Sequence, residues 1–228
     1  QDANTPWLAR ELHARGCDLV RAEFVPDVKE DIASSIMRMK ALVGPGGAVF
    51  CSGGIGPTHD DVTYEAVARA FGLELELHAP TVERMKGHYG AQGKEVNQAR
   101  LRMAMLPRGA QVLWTPGLWV PLAVVEGVYV LPGIPRLFRA MVGAHLGRFR
   151  GPAAATVTRF TRRGEGDLAA ALAAVAEAHP AVSIGSYPST SADDAFTTKL
   201  TFTSRDSDAL RTALAAAEAA IPGCWEEG

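Results

Sequence analysis

The segment CSGGIGPTHDDVT, Cys51 to Thr63, concentrates residue types that handle phosphate. A turn built on Gly53, Gly54 and Gly56 frees backbone N–H groups to face an anion. A helix starting directly after it adds partial positive charge. Pro57, Thr58 and His59 complete the turn, and His59 falls where it would lie over a bound phosphate. Glycines also make plain turns, and two common phosphate fingerprints are absent. No Gly-Lys-Ser/Thr follows, and His59 stands where G-x-G-x-x-G needs its third glycine. The acid pair Asp60–Asp61 sharpens the reading. A carboxylate repels phosphate unless a shared divalent cation neutralises both. Asp60, Asp61 and Thr63 also suit helix capping, and one acid could cap while the other binds metal. Both readings stand at this point.

The elements that must position this loop follow from hydrophobic period. Thr5-Pro6 reads as a helix start, with Leu8 and Leu12 at i,i+4 and Gly16 as the stop. Leu19–Val25 reads as a strand. Ile32, Ile36, Met39 and Val43 form a helical stripe ending at Gly44. Ala48–Cys51 is a short apolar strand feeding the glycine loop, and Thr63–Phe71 a helix stopped by Gly72. Leu73–Leu77 reads as an outlying strand, Pro80–Tyr89 as a helix and Gly90–Asn97 as a loop. Gln111–Trp114 and Pro121–Leu131 supply further strands, and LPGIP launches a helix to about Phe149. Strand and helix in alternation predict a three-layer α/β/α domain with a mostly parallel sheet over residues 1–150. Beyond Arg150-Gly151-Pro152 a β-α-β-β-α pattern predicts a small α+β domain over 151–228. Its alanine-rich helices bury little area per turn, so low stability in isolation is expected.

Composition narrows the function classes. The chain has 228 residues, 47% of them hydrophobic, and a net charge of −2. Its pI is near 6.3. Nucleic-acid backbone binding normally requires a basic excess, so no nucleic-acid partner is expected. No apolar run reaches the roughly 20 residues that span a bilayer, so no membrane partner is expected either. Cys17, Cys51 and Cys224 have no zinc-ligand spacing and point to a reducing compartment, hence the cytoplasm. The chain begins at Gln1 without a signal-peptide pattern, which reads as a fragment or a processed product; an upstream targeting peptide would precede it.

GGIGPTHDDVTYEA strongly resembles the G-G-x-G-P-x-x-x-D-x-T-x-E-A signature of the molybdopterin-binding (MoaB/Mog-like) superfamily. The closest form is that of CinA-like proteins and the N-terminal half of eukaryotic-type FAD synthase. QDANTPWLARELHARG, FVPDVKEDI, NQARLRMAMLP, VYVLPGIPRLF and the late IGSYP agree in order, so the resemblance spans nearly the whole chain. It implies that Asp27 and Asp61 serve metal and phosphate chemistry, with Asp60 and Thr63 beside them and Glu65 behind. Gly53, Gly54 and Gly56 would face phosphate, Asp2 and Asn4 would border the crevice, and Pro132-Gly133 would turn opposite the loop. Family members normally carry a first strand and a G-[DN]-E-[IL]-L-x-G loop ahead of D-x-N; this sequence starts after that segment.

The resemblance implies an enzyme: metal-dependent hydrolysis of a dinucleotide pyrophosphate such as FAD or ADP-ribose. The expected cofactor is a divalent cation, Mg2+ or Co2+-like, with K+ as an additional candidate. The alternatives are nucleotidyl transfer to molybdopterin, or molybdopterin binding, in cofactor biosynthesis, and a non-catalytic FAD-sensing module. Expected partners are a small nucleotide or pterin ligand, a fused or separate FMN adenylyltransferase domain, and further copies in a homo-oligomer.

Overall fold

The computed structural model describes residues 2–191 and 195–223; Cys224 lies outside them. The chain divides into two compact units, Gln1–Arg150 and Gly151–Gly228.

In the first unit, α1 covers Thr5–His13 and buries Leu8 and Leu12. Its start lies one residue earlier than the hydroxyl-cap reading, because the Asp2 carboxylate accepts from the N–H groups of Asn4 and Thr5 at 3.0 and 3.1 Å. α2 (Lys29–Val43) buries Ile32 and Ile36 and ends at Gly44, whose φ of 67° is the left-handed geometry glycine tolerates. β1 (Val49–Ser52) leads through the glycine loop into α3 (Thr63–Ala70). β2 (Leu75–Leu77), α4 (Ala79–Gly90), α5 (Gln98–Leu101) and β3 (Met105–Pro107) follow. β2 and β3 pair as a separate two-stranded ribbon, so Leu75–Leu77 is the expected outlier; β3 was not predicted. β4 (Gln111–Leu113), β5 (Leu122–Val125) and β6 (Val128–Leu131) precede α6 (Pro135–His145), after which a 3-10 turn occupies Leu146–Arg148.

The main sheet has the order β1-β6-β5-β4. β1 and β6 run parallel, and the β5–β6 hairpin and β4 extend the sheet with antiparallel pairs. Parallel pairing thus sits at the functional loop, and elsewhere the described strands make the sheet mixed. The hairpin turn uses Glu126 and Gly127, both at positive φ.

Alternation along the strands makes the three layers. Val49, Ala123, Val125, Val128 and Val130 face a core built with α2 and α3. Leu122, Val124, Leu131 and Phe50 face the opposite core, built with α1 and α6. Each strand is therefore apolar on both faces, as a sheet covered on both sides requires.

One element differs from the reading above. Leu19–Val25 forms no strand, because among the described residues its backbone finds no ladder partner. Val20 and Phe24 are 62% and 83% exposed. Glu23 tethers the segment by accepting from Ser35 Oγ and Arg38 Nη2 on α2.

The second unit contains β7 (Ala155–Thr161), α7 (Glu165–Ala178), β8 (Ser183–Pro188), β9 (Thr198–Ser204) and α8 (Ser207–Ala220). Its antiparallel sheet has the order β7-β9-β8 and packs Leu200 and Phe202 under Leu168 and Leu210. Asp206 caps α8 through the N–H groups of Asp208 and Ala209.

Truncating Phe138, which is 1% exposed, is expected to destabilise the first unit by about 3–5 kcal/mol in denaturant unfolding. Burial pushes the Cys51 thiol up to about 11 from 9.0. The folded chain then holds that proton where the unfolded chain has released it. Below pH 9 the thiol's contribution is complete, and it is lost as pH rises through about 11. Thermal midpoints from pH 8 to 11 are expected to fall less steeply for Cys51→Ala than for wild type, about the usual thiol range.

Candidate functional site

The glycine loop is held at three points. Gly53 N–H donates to Leu131 O at 2.9 Å, tying the loop to the end of β6. Thr63, at the start of α3, donates its hydroxyl to Gly53 O at 2.9 Å and its N–H to Gly54 O at 3.0 Å. Ile55 and Val62, each 8% exposed, anchor the loop in the core. Gly53 and Gly54 have φ of 103° and 63°. A Cβ on Gly54 would overlap Thr63 Oγ1 and sit 3.4 Å from Asp27 Oδ1. One on Gly56 would fall 2.6 Å from Asp61 Oδ2. These two glycines are required by close approach as well as by backbone geometry.

The capping alternative is answered by the geometry. Val62 is the N-cap of α3, and no side chain caps it. Asp61 Oδ2 instead accepts from Thr58 N–H and Thr58 Oγ1 at 2.8 and 2.5 Å, closing the PTHD turn on itself. At the start of α3 the Thr63 N–H is taken by Gly54 O, and no side chain caps the N–H groups that follow it. Asp60 and His59 are exposed at the tip.

Asp27 reaches the loop from the bend before α2, where Val28 N–H donates to Pro26 O at 2.7 Å. Its carboxylate lies against Gly54, as that of Asp61 lies against Gly56. The fold thus brings to one loop two acids 34 positions apart in sequence. Opposite them, a Cβ on Gly133 would sit 3.4 Å from Gly53 Cα, so the Pro132-Gly133 turn faces the loop. Asn4 bridges the same region: its Nδ2 donates to Gly133 O at 3.0 Å and to Ser52 Oγ at 3.3 Å. Asn4 Oδ1 is buried with no hydrogen-bond partner among the described residues.

Lys29, Arg102 and Ser52 escaped the sequence reading, whereas Glu65 was expected behind the loop acids. Glu65 pairs with Lys29 Nζ, and its Oε1 lies 3.8 Å from Arg102 Nη2. Arg102 also donates to Asp61 O at 3.4 Å. Two cations are thereby held beside the loop by a glutamate one turn into α3. Lys29 stands two residues after Asp27, and Arg102 lies within NQARLRMAMLP, but neither pattern assigns a role. Ser52, the last residue of β1, donates to Pro132 O at 3.3 Å.

Among the described residues, no three His, Cys, Asp or Glu side chains gather into a group that could hold a metal ion. An all-protein cage is absent there. Asp27, Asp60 and Asp61 therefore do not assemble into the three-acid ligand set expected from the sequence, Asp60 standing exposed at the loop tip; one or two carboxylates are what Mg2+ commonly takes when substrate phosphates complete its shell.

Residues 1–150 match the family described as probable molybdopterin binding domain. The chain belongs to that family. Residues 154–225 match the middle domain of FAD synthase. A protein of Pyrobaculum calidifontis is 33% identical over 197 residues, which cover 82% of this chain and 74% of that one. A CinA-like protein of Myxococcus xanthus is 33% identical over 198 residues, covering 81% and 46% of the two chains. The solved structure of the protein CinA from Thermoplasma acidophilum superposes with a TM-score of 0.57 at 27% identity. It covers 65% of this chain and 88% of that one. This molybdopterin-binding-domain chain spans about half the length of several curated relatives it matches. No helix among its described residues is long and apolar enough to cross a membrane.

Within this family's loop, Gly54→Ala is expected to cost about 2–4 kcal/mol in unfolding free energy. It adds a left-handed alanine and an overlap with Thr63. Gly143→Ala, in α6 with nothing within 4 Å of the added methyl, is the control and is expected to be neutral or stabilising.

Proposed function

We propose that the first unit binds the pyrophosphate of a dinucleotide such as FAD or ADP-ribose in the glycine loop and hydrolyses it. The observation that carries this reading is the Asp27 carboxylate set against Gly54, beside a helix N-terminus that no side chain caps. Among the described residues Asp27 has no hydrogen bond or ion pair, so its charge is not spent on the fold.

The loop N–H groups and the start of α3 bind phosphoryl oxygens and stabilise the charge that grows on them in the transition state. Lys29 and Arg102 add positive charge on the same side, where Glu65 places them. Asp27 and Asp61 would hold a divalent cation together with the substrate phosphates, and it would supply Lewis acidity. Asp27 orients the attacking water. The water oxygen bonds to one phosphorus as the bridging P–O bond breaks, so FAD and water give FMN and AMP. The second unit's match to the FAD synthase middle domain favours a flavin dinucleotide among the candidates.

The orphaned Asn4 Oδ1 favours a second reading, in which the same crevice holds a pterin whose ring N–H groups could donate to it. Nucleotidyl transfer to molybdopterin would use the same phosphate cradle.

Asp27→Asn is expected to lower kcat for FAD or ADP-ribose hydrolysis by about 100-fold or more, with the thermal midpoint unchanged. Asp61→Asn is expected to do the same at a stability cost of about 1 kcal/mol or less, since asparagine still accepts from Thr58. Turnover is followed by product chromatography with and without Mg2+. Full activity in both variants would reject the acids' roles. FAD binding without turnover in wild type would leave a sensor.

A further inference from the structure

The strand pair that carries the glycine loop at one end carries a second polar cavity at the other. β1 and β6 run parallel, so the residues that enter both strands meet at the end opposite the loop. There Val49 N–H donates to Gly127 O at 3.0 Å. A cavity of about 330 Å³ opens beside this bond, lined among others by Gly46, Gly47, Glu126, Gly127, Lys40 and Arg148. The length of β1, Val49 to Ser52 at about 3.3 Å per step, separates it from the glycine loop.

Backbone geometry keeps the cavity open. Pro45 and Gly46 form the corner of a turn closed by Gly47 N–H donating to Gly44 O at 3.2 Å, and Gly46 has a φ of 81°. A Cβ on Gly47 would overlap Val43. One on Gly127 would sit 3.1 Å from Lys40 Nζ and 3.2 Å from Gly47 O. The lining at these positions is bare backbone, and the Lys40 ammonium lies against it.

Three charged side chains line the cavity, and among the described residues none of them is in an ion pair. Lys40, in the last turn of α2, is half-buried, and its ammonium makes no hydrogen bond there. Arg148, in the 3-10 turn after α6, donates to the side-chain oxygen of Gln111 at 3.3 Å, a neutral partner. Glu126 stands exposed on the hairpin turn. The helix layers on the two faces of the sheet thus each deliver one cation to one cavity, and neither charge is spent on a carboxylate of the fold.

We propose that this cavity binds the phosphate monoester of a sugar, such as a ribose 5-phosphate group. Two cations at one cavity match a phosphate dianion. The Arg148 guanidinium presents a fork for two oxygens, and the Lys40 ammonium takes the third as a point charge. Glu126 repels phosphate but accepts from hydroxyls, so it suits the sugar end and sets the ligand's direction. This assignment stands apart from the reaction proposed at the glycine loop.

The test reads Lys40 directly, as its rate of acetylation in the full chain followed by mass spectrometry. Ribose 5-phosphate is expected to slow that rate saturably and to leave the exposed Lys94 unaffected, whereas ribose protects neither. Arg148→Gln is expected to raise the half-protecting concentration about 10-fold or more, with the thermal midpoint unchanged. Glu126→Ala is expected to weaken protection by ribose 5-phosphate but not by inorganic phosphate. Absent protection, or equal protection in Arg148→Gln, would overturn the proposal. Inorganic phosphate protecting wild type as well as the ester would make this a free-phosphate site and overturn the sugar assignment. Protection lost in Arg102→Gln instead would assign the ligand to the glycine loop.

Discussion

The hydrogen bonds of Thr63 are the constraint on which the first unit's functional end depends. One buried residue, 3% exposed, closes the carbonyls of both Gly53 and Gly54. That closure turns the chain sharply enough for α3 to start while Gly53 still pairs with Leu131. β1, the loop, α3 and β6 are therefore fixed as one piece. Because Thr63 attends to the loop and Asp61 to Thr58, no side chain caps the helix. The same economy of contacts that builds the turn leaves it suited to an anion.

This arrangement needs a rigid support on both sides of the sheet. Residues of β1, β5 and β6 alternate between two separate apolar cores, so every second side chain locks a different helix layer. A one-residue slip of β1 against β6 would exchange the two sets and move the loop away from Pro132-Gly133. Register and site geometry are the same constraint seen at two scales.

Charge around the loop is balanced without being neutralised. Glu65 holds Lys29 and Arg102 although all three side chains are partly exposed, and such pairs contribute little to stability. Their consequence is positional: two cations and two carboxylates are gathered at one turn. Asn4 reaches into the same region from the opposite end of the first unit's sequence.

Local patterns settled most elements of both units, though not α5 or β3, because helical and strand periods, glycine stops and proline starts act over a few residues. α2, β1, α3 and the β-α-β-β-α order of the second unit were legible in this way. The loop was legible too, because close backbone turns admit glycine and little else. Three matters belonged to the tertiary structure. Leu19–Val25 has strand composition but finds no pairing partner among the described residues, and a strand exists only through its ladder. Whether Asp61 caps a helix or folds onto Thr58 turned on backbone angles that residue types do not specify. Asp27 and Lys29 join Asp61 at one loop because α2 and α3 share one core, and Arg102 reaches it from the turn after α5; spacing along the chain carries no record of that packing.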